Sequence, residues 1–148
     1  MFAVDVSGPA IPRFSRREIG SFARRALRAI EREGGATFAP TGLSIAFLDD
    51  VAMADLNRRY RGKRKTTDVL TFGQEGASDI PGETPLGDVA ISLEQARRQA
   101  KAEGHALATE IRYLILHGML HAFGHDHETD AGEMNELELR VRARVGLR

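Results

Sequence analysis

Cysteine is absent from the 148 residues of this chain. Disulfides and thiolate metal ligands are thereby excluded, and any transition-metal site must be built from imidazole and carboxylate. Net charge is absent too, with 21 basic side chains against 21 acidic ones. A role with nucleic acid would have to rest on local clustering of cations, not on the field of the whole molecule. No apolar run approaches the roughly eighteen residues that span a bilayer. The opening residues, Met1-Phe2-Ala3-Val4-Asp5-Val6, lack the basic and then apolar order of a secretory leader. The expectation is a cytoplasmic protein with no membrane partner. Low-complexity tracts and internal repeats are also missing. A composition 42% hydrophobic and 28% charged fits one globular domain over residues 1–148.

Periodicity supplies the elements. Residues 2–7 alternate like a short strand. Ser15 followed by Glu18 has the spacing of a capping box for a helix to about Arg32, whose apolar residues Ile19, Phe22, Ala23, Ala26, Leu27 and Ile30 recur at helical intervals before Gly34-Gly35 stops it. Leu43–Leu48 reads as a second strand, Asp49 or Asp50 as the cap of a helix through Tyr60, and Val69–Phe72 as a third strand. Residues 73–85, rich in glycine, proline and acidic side chains, read as a surface loop. A fourth strand, Val89–Ser92, precedes a helix opening near Leu93, and Gly104 separates that helix from one over His105–Phe123. A last helix spans about Ala131–Val145. Four short strands with about five helices predict an α+β fold in which helices pack on one small mixed sheet.

Four of the five histidines fall within residues 117–127, His-Gly-Met-Leu-His-Ala-Phe-Gly-His-Asp-His. Residues four apart share a helix face with β-carbons about 6 Å apart, so His117 and His121 can hold one ion. A straight helix would carry His127 about 9 Å further along the axis. The helix must therefore end first, and Gly124 is placed to end it in a left-handed conformation. The metzincin pattern H-E-x-x-H-x-x-G-x-x-H has its glycine and third histidine at the same offsets, but its glutamate, the general base of those proteases, is Gly118 here. Zinc is the favoured ion, one per chain, because three imidazoles leave a fourth position open; nickel or another divalent ion would also suit. Asp126 could accept the second N–H of a ligating imidazole or cap a turn. His125 fits no standard ligand offset, and His105 reads as a surface residue at a helix start.

A second cluster is cationic. Between Arg58 and Lys65 six of eight residues are basic: Arg58, Arg59, Arg61, Lys63, Arg64 and Lys65. Such a run is either a solvated helix end or a seat for a phosphate backbone. Asp68 and Asp88 each flank a strand, where they could hold a turn, pair with the cations, or serve as a base that Gly118 cannot be.

The segments Leu56-Asn57-Arg58-Arg59-Tyr60-Arg61-Gly62-Lys63, Thr67-Asp68-Val69-Leu70-Thr71-Phe72, Leu86-Gly87-Asp88-Val89-Ala90-Ile91-Ser92 and His117 to His127 closely resemble, in order, the YbeY family of bacterial zinc-dependent endoribonucleases. The resemblance implies that His117, His121 and His127 bind zinc and that Arg61 is the functionally important cation near the metal. It implies cleavage of single-stranded or ribosomal RNA, action in maturation of the 3′ end of 16S ribosomal RNA and in ribosome quality control, and partners on the ribosome or among small-subunit assembly factors. Arg58, Arg59 and Lys63 would contact substrate. The chain departs from the family at Lys63-Arg64-Lys65-Thr66-Thr67-Asp68, where Lys-Asp-x-Pro-Thr-Asp is common, and at Thr71 and Gly73, where Ser and Pro are common; its loop is more basic and less rigid. Two other readings compete: a metzincin-type peptidase or hydrolase, and a non-catalytic RNA-binding assembly factor with structural zinc. Oligomeric state is left open.

Overall fold

The computed structural model describes residues 2–61, 69–72, 81–125 and 131–147, with only the backbone of Tyr60, Arg61 and Phe72. Four strands, β1 (Ala3–Ser7), β2 (Gly42–Leu48), β3 (Val69–Phe72) and β4 (Gly87–Ser92), form one sheet in the order β1-β2-β4-β3. β1, β2 and β4 run parallel and β3 pairs antiparallel with β4 at the edge, with Val69 opposite Ile91 and Phe72 opposite Asp88. Five helices surround it: α1 (Arg16–Arg32), α2 (Asp50–Arg61), α3 (Leu93–Glu103), α4 (Leu107–Ala122) and α5 (Glu133–Arg144). The expected α+β class, mixed sheet and element order all hold.

Strand alternation divides the interior in two. Leu43, Ile45 and Phe47 of β2 and Val89 and Ile91 of β4 join the main core with the apolar stripes of α1 (Ile19, Phe22, Ala26, Ile30) and α4 (Ile111, Leu114, Ile115). Ala90 and Leu70 belong instead to a small cluster with Met53 of α2. The sheet thus lies between α2 on one face and α4 on the other.

The helix ends follow the predicted chemistry. Ser15 and Glu18 form a reciprocal capping box at α1. Of the two candidate caps for α2, Asp49 is the one that accepts from the Ala52 N–H, at 2.7 Å. Asp50 turns inward to the start of α3, where its carboxylate accepts from Ser92 Oγ (2.7 Å) and Arg98 Nη2 (2.6 Å). α4 begins at Leu107, two residues later than expected, because Gly104 ends α3 in the left-handed region (φ 72°) and His105 lies in the connecting turn. α5 is trimmed to Glu133–Arg144. Of the expected surface loop 73–85, residues 73–80 lie outside the described residues, and 81–86 contain neither helix nor strand.

Candidate metal centre

α4 presents both of its histidines from one face, as the four-residue spacing requires. Their Nε2 atoms stand 2.9 Å apart and the ring planes are inclined at 69°. Two imidazoles on one tetrahedral zinc, at Zn–N about 2.0–2.1 Å, hold their nitrogens about 3.3 Å apart. A small rotation of either ring reaches that separation, so the pair fits a shared ion. The third expected ligand, His127, lies outside the described residues, as does Asp126. What precedes them is described: Phe123 closes α4, Gly124 takes φ +98°, and its N–H reaches His121 O (2.8 Å) while the His125 N–H reaches Leu120 O (3.1 Å). This pair of bonds is a Schellman motif, and it turns the chain off the helix axis three residues before His127. The His125 ring then donates to the carbonyl of Gly35 at 2.7 Å, tying the turn to the segment after α1.

One residue at the site carried no motif in the sequence. Glu138 of α5, 8% exposed, has Oε1 2.6 Å from His117 Nδ1, and its Oε2 accepts from Arg142. Burial pushes the Glu138 carboxyl up, but the hydrogen bond from His117, the charges of His117 and Arg142, and the Arg142 bond outweigh it and hold the group below its usual range. An ionised carboxylate only accepts, so His117 Nδ1 must carry the proton. In the neutral imidazole, the form that can bind a metal, Nε2 is then the lone-pair nitrogen, and it is directed at His121. The signal for Glu138 was present: it falls on the buried stripe of α5 with Met134, Leu137 and Val141, a polar intruder at an apolar position.

A cleft of about 520 Å³ opens beside the histidines, lined among others by Val69, His105, Glu110, Tyr113, His117 and Arg142. His105 is a wall of this cleft and bonds the buried Glu110 carboxylate at 2.7 Å, where a plain surface position was expected. The Arg142 guanidinium lies 4.6 Å over the Tyr113 ring.

The other candidates are spread more widely. Arg58 (2.5 Å) and Arg59 (3.7 Å) both pair with Asp55 on the exposed side of α2, pairs worth little in water. Arg61 closes α2, and the chain re-enters the described residues at Val69, beside His117 in the cleft. Lys63 and Asp68 fall in between, outside the described residues. Asp88 is exposed at the start of β4. Its neighbour Val89 meets α4, so alternation directs Asp88 to the other face of the sheet.

A mixed sheet with a histidine-bearing helix packed against it, the helix ended by a glycine turn, defines a protein of the α+β class. Comparison makes that specific. Residues 11–146 match the family described as Endoribonuclease YbeY, and the chain belongs to that family. It is 43% identical over 141 residues to an endoribonuclease YbeY of Solibacter usitatus, covering 94% of this chain and 80% of the relative. To that of Moorella thermoacetica it is 44% identical over 115 residues, 72% and 74% of the two chains. A solution structure of a Thermotoga maritima protein shares the fold at a TM-score of 0.59 and 17% identity, covering 99% of this chain and 90% of the other. Among the described residues no helix is long and apolar enough to cross a membrane.

Proposed function

We propose that this YbeY-family endoribonuclease cuts single-stranded RNA at a zinc ion held by His117, His121 and His127, and that it acts on ribosomal RNA during small-subunit maturation. The observation that carries the metal assignment is the pair of converging Nε2 atoms, 2.9 Å apart, with His117 fixed from behind by Glu138. Bound zinc would polarise a phosphoryl oxygen and make a bound water more acidic. The chain's own residues supply the rest. Arg61 stands at the end of α2, and its guanidinium suits a bidentate grip on a phosphate whose charge grows in the transition state. Arg58, Arg59 and Lys63 would steer the flanking backbone, and the cleft has room for a nucleotide next to His117. Ribosomal RNA as substrate would place the protein in the cytoplasm, with ribosomal or small-subunit assembly partners.

A peptidase reading needs a general base where the zinc-protease motif has glutamate. Position 118 cannot provide one, because it is glycine, and a β-carbon there would already meet Val89 and Thr71. RNA is less demanding, since its own 2′-hydroxyl can be the nucleophile. The deciding experiment measures zinc content and cleavage of a single-stranded RNA and of casein by the wild type and His117→Ala. The expected result is one zinc per chain, RNA cleavage only, and loss of both in the variant. RNA cleavage that persists in metal-free protein would overturn the mechanism.

A further inference from the structure

We infer that Glu138 is the positioning residue of the metal centre, holding His117 as the Nδ1–H tautomer so that Nε2 alone is offered to the ion; this rests on the reading of His117 and His121 as ligands. Glu138 is buried on the apolar stripe of α5, among Met134, Leu137 and Val141. A carboxylate there is a poor device for stability alone, because buried ion pairs can often be replaced by apolar groups without loss. Its geometry shows what it serves. One oxygen takes the His117 Nδ1–H at 2.6 Å, and the other is gripped by Arg142, whose guanidinium is in turn laid over the Tyr113 ring. The carboxylate is therefore clamped from both ends before any ion arrives.

The consequences for the imidazole follow from elementary chemistry. A neutral histidine has one N–H, and committing it to Glu138 leaves the lone pair on Nε2, the atom 2.9 Å from His121 Nε2. A hydrogen-bonded carboxylate behind a ligating imidazole also raises its basicity and removes its freedom to rotate. Both effects tighten metal binding without touching the metal. α5 thereby becomes a working part of a site whose described ligand candidates, His117 and His121, both come from α4.

The test uses the full-length chain and zinc alone. In metal-free wild type, long-range ¹H–¹⁵N spectra of the imidazoles should show His117 protonated at Nδ1. Glu138→Ala should lose that preference and bind zinc roughly 10- to 100-fold more weakly in competition with a chromophoric chelator. Glu138→Gln, which keeps an acceptor and the side-chain shape, should retain the tautomer and lose less than about 10-fold. Zinc affinity within twofold of wild type in folded Glu138→Ala, or a wild-type His117 protonated at Nε2, would overturn the inference. If Glu138→Ala does not fold, the wild-type tautomer and the Gln variant decide it: an Nδ1–H tautomer with a loss under 10-fold supports it, and a wild-type Nε2–H tautomer sinks it. Tight zinc binding by His117→Ala would instead sink the ligand assignment itself, a separate outcome.

Discussion

Gly118 of α4 lies so close to Val89 of β4 that a β-carbon on it would stand 2.9 Å from Val89 Cγ1, 3.1 Å from Cγ2 and 3.3 Å from Thr71 Oγ1. Glycine to alanine inside a helix ordinarily stabilises by about 1 kcal/mol. Here overpacking against β4 should cost about 1–3 kcal/mol and reverse the sign. Urea unfolding of Gly118→Ala should show a net loss of stability, and the loss should shrink in a Val89→Ala background. A gain in stability would mean that helix and sheet separate easily at this contact. Gly118→Glu should be more damaging still, with no peptidase activity gained.

Gly124 is required for its backbone and not for space, since nothing lies within 4 Å of a β-carbon built there while φ is +98°. Gly146 is the matched control: it follows the last residues of α5 with φ +78° and equally open surroundings. Each Gly→Ala change should cost about 1–2 kcal/mol. Only Gly124→Ala should also weaken zinc binding, because it alone precedes His127. Equal zinc affinities in the two variants would separate the turn from the metal site.

Asp50 links the start of α2 to the start of α3. The hydrogen bonds from Ser92 and Arg98, with the Arg98 charge, outweigh burial and hold its carboxyl below the ordinary range. A carboxyl depressed by folding stabilises the protein above its unfolded value, and that contribution disappears as the pH falls through the folded value. Wild type should therefore be more stable than Asp50→Asn at neutral pH, and the two should converge as the pH falls below the ordinary carboxylate range. Denaturant midpoints across the acid range check this; a difference that does not change with pH would assign the effect to packing.

The cations of α2 should divide by role. Arg61→Ala is expected to lower RNA cleavage by about 10²-fold or more, the scale of a transition-state charge contact, with zinc content unchanged. Arg58→Ala, which frees Asp55 from a surface pair, should leave the cleavage step nearly intact and lower the salt dependence of RNA binding by about one contact. Single-turnover kinetics and a salt titration of RNA affinity read the two effects separately. Equal losses in both variants would make Arg61 one more binding cation.

Much of this was legible in the chain because it depends on near neighbours. The capping box at Ser15 and Glu18, the glycine stops at Gly34, Gly104 and Gly124, and the apolar stripe of α1 all rest on contacts within a few residues, and all hold. The partner of His105 is not legible in this way. That partner, Glu110, is only five residues away, but the ring is turned into a cleft whose walls come from β3, α3, α4 and α5.

By itself, then, the sequence determined the α+β class, the order of elements, the helix that carries His117 and His121 on one face, and the turn at Gly124 that frees the chain beyond it. These follow from local propensity and from the helical repeat. Tertiary structure alone decided that position 118 must lack a side chain, that Asp88 points away from the histidines, and that Glu138, twenty-one residues from His117, stands behind its ring. Each of these depends on which face of the sheet a helix covers and how closely it approaches, distances set by the packing of the whole core and not by any run of neighbouring residues.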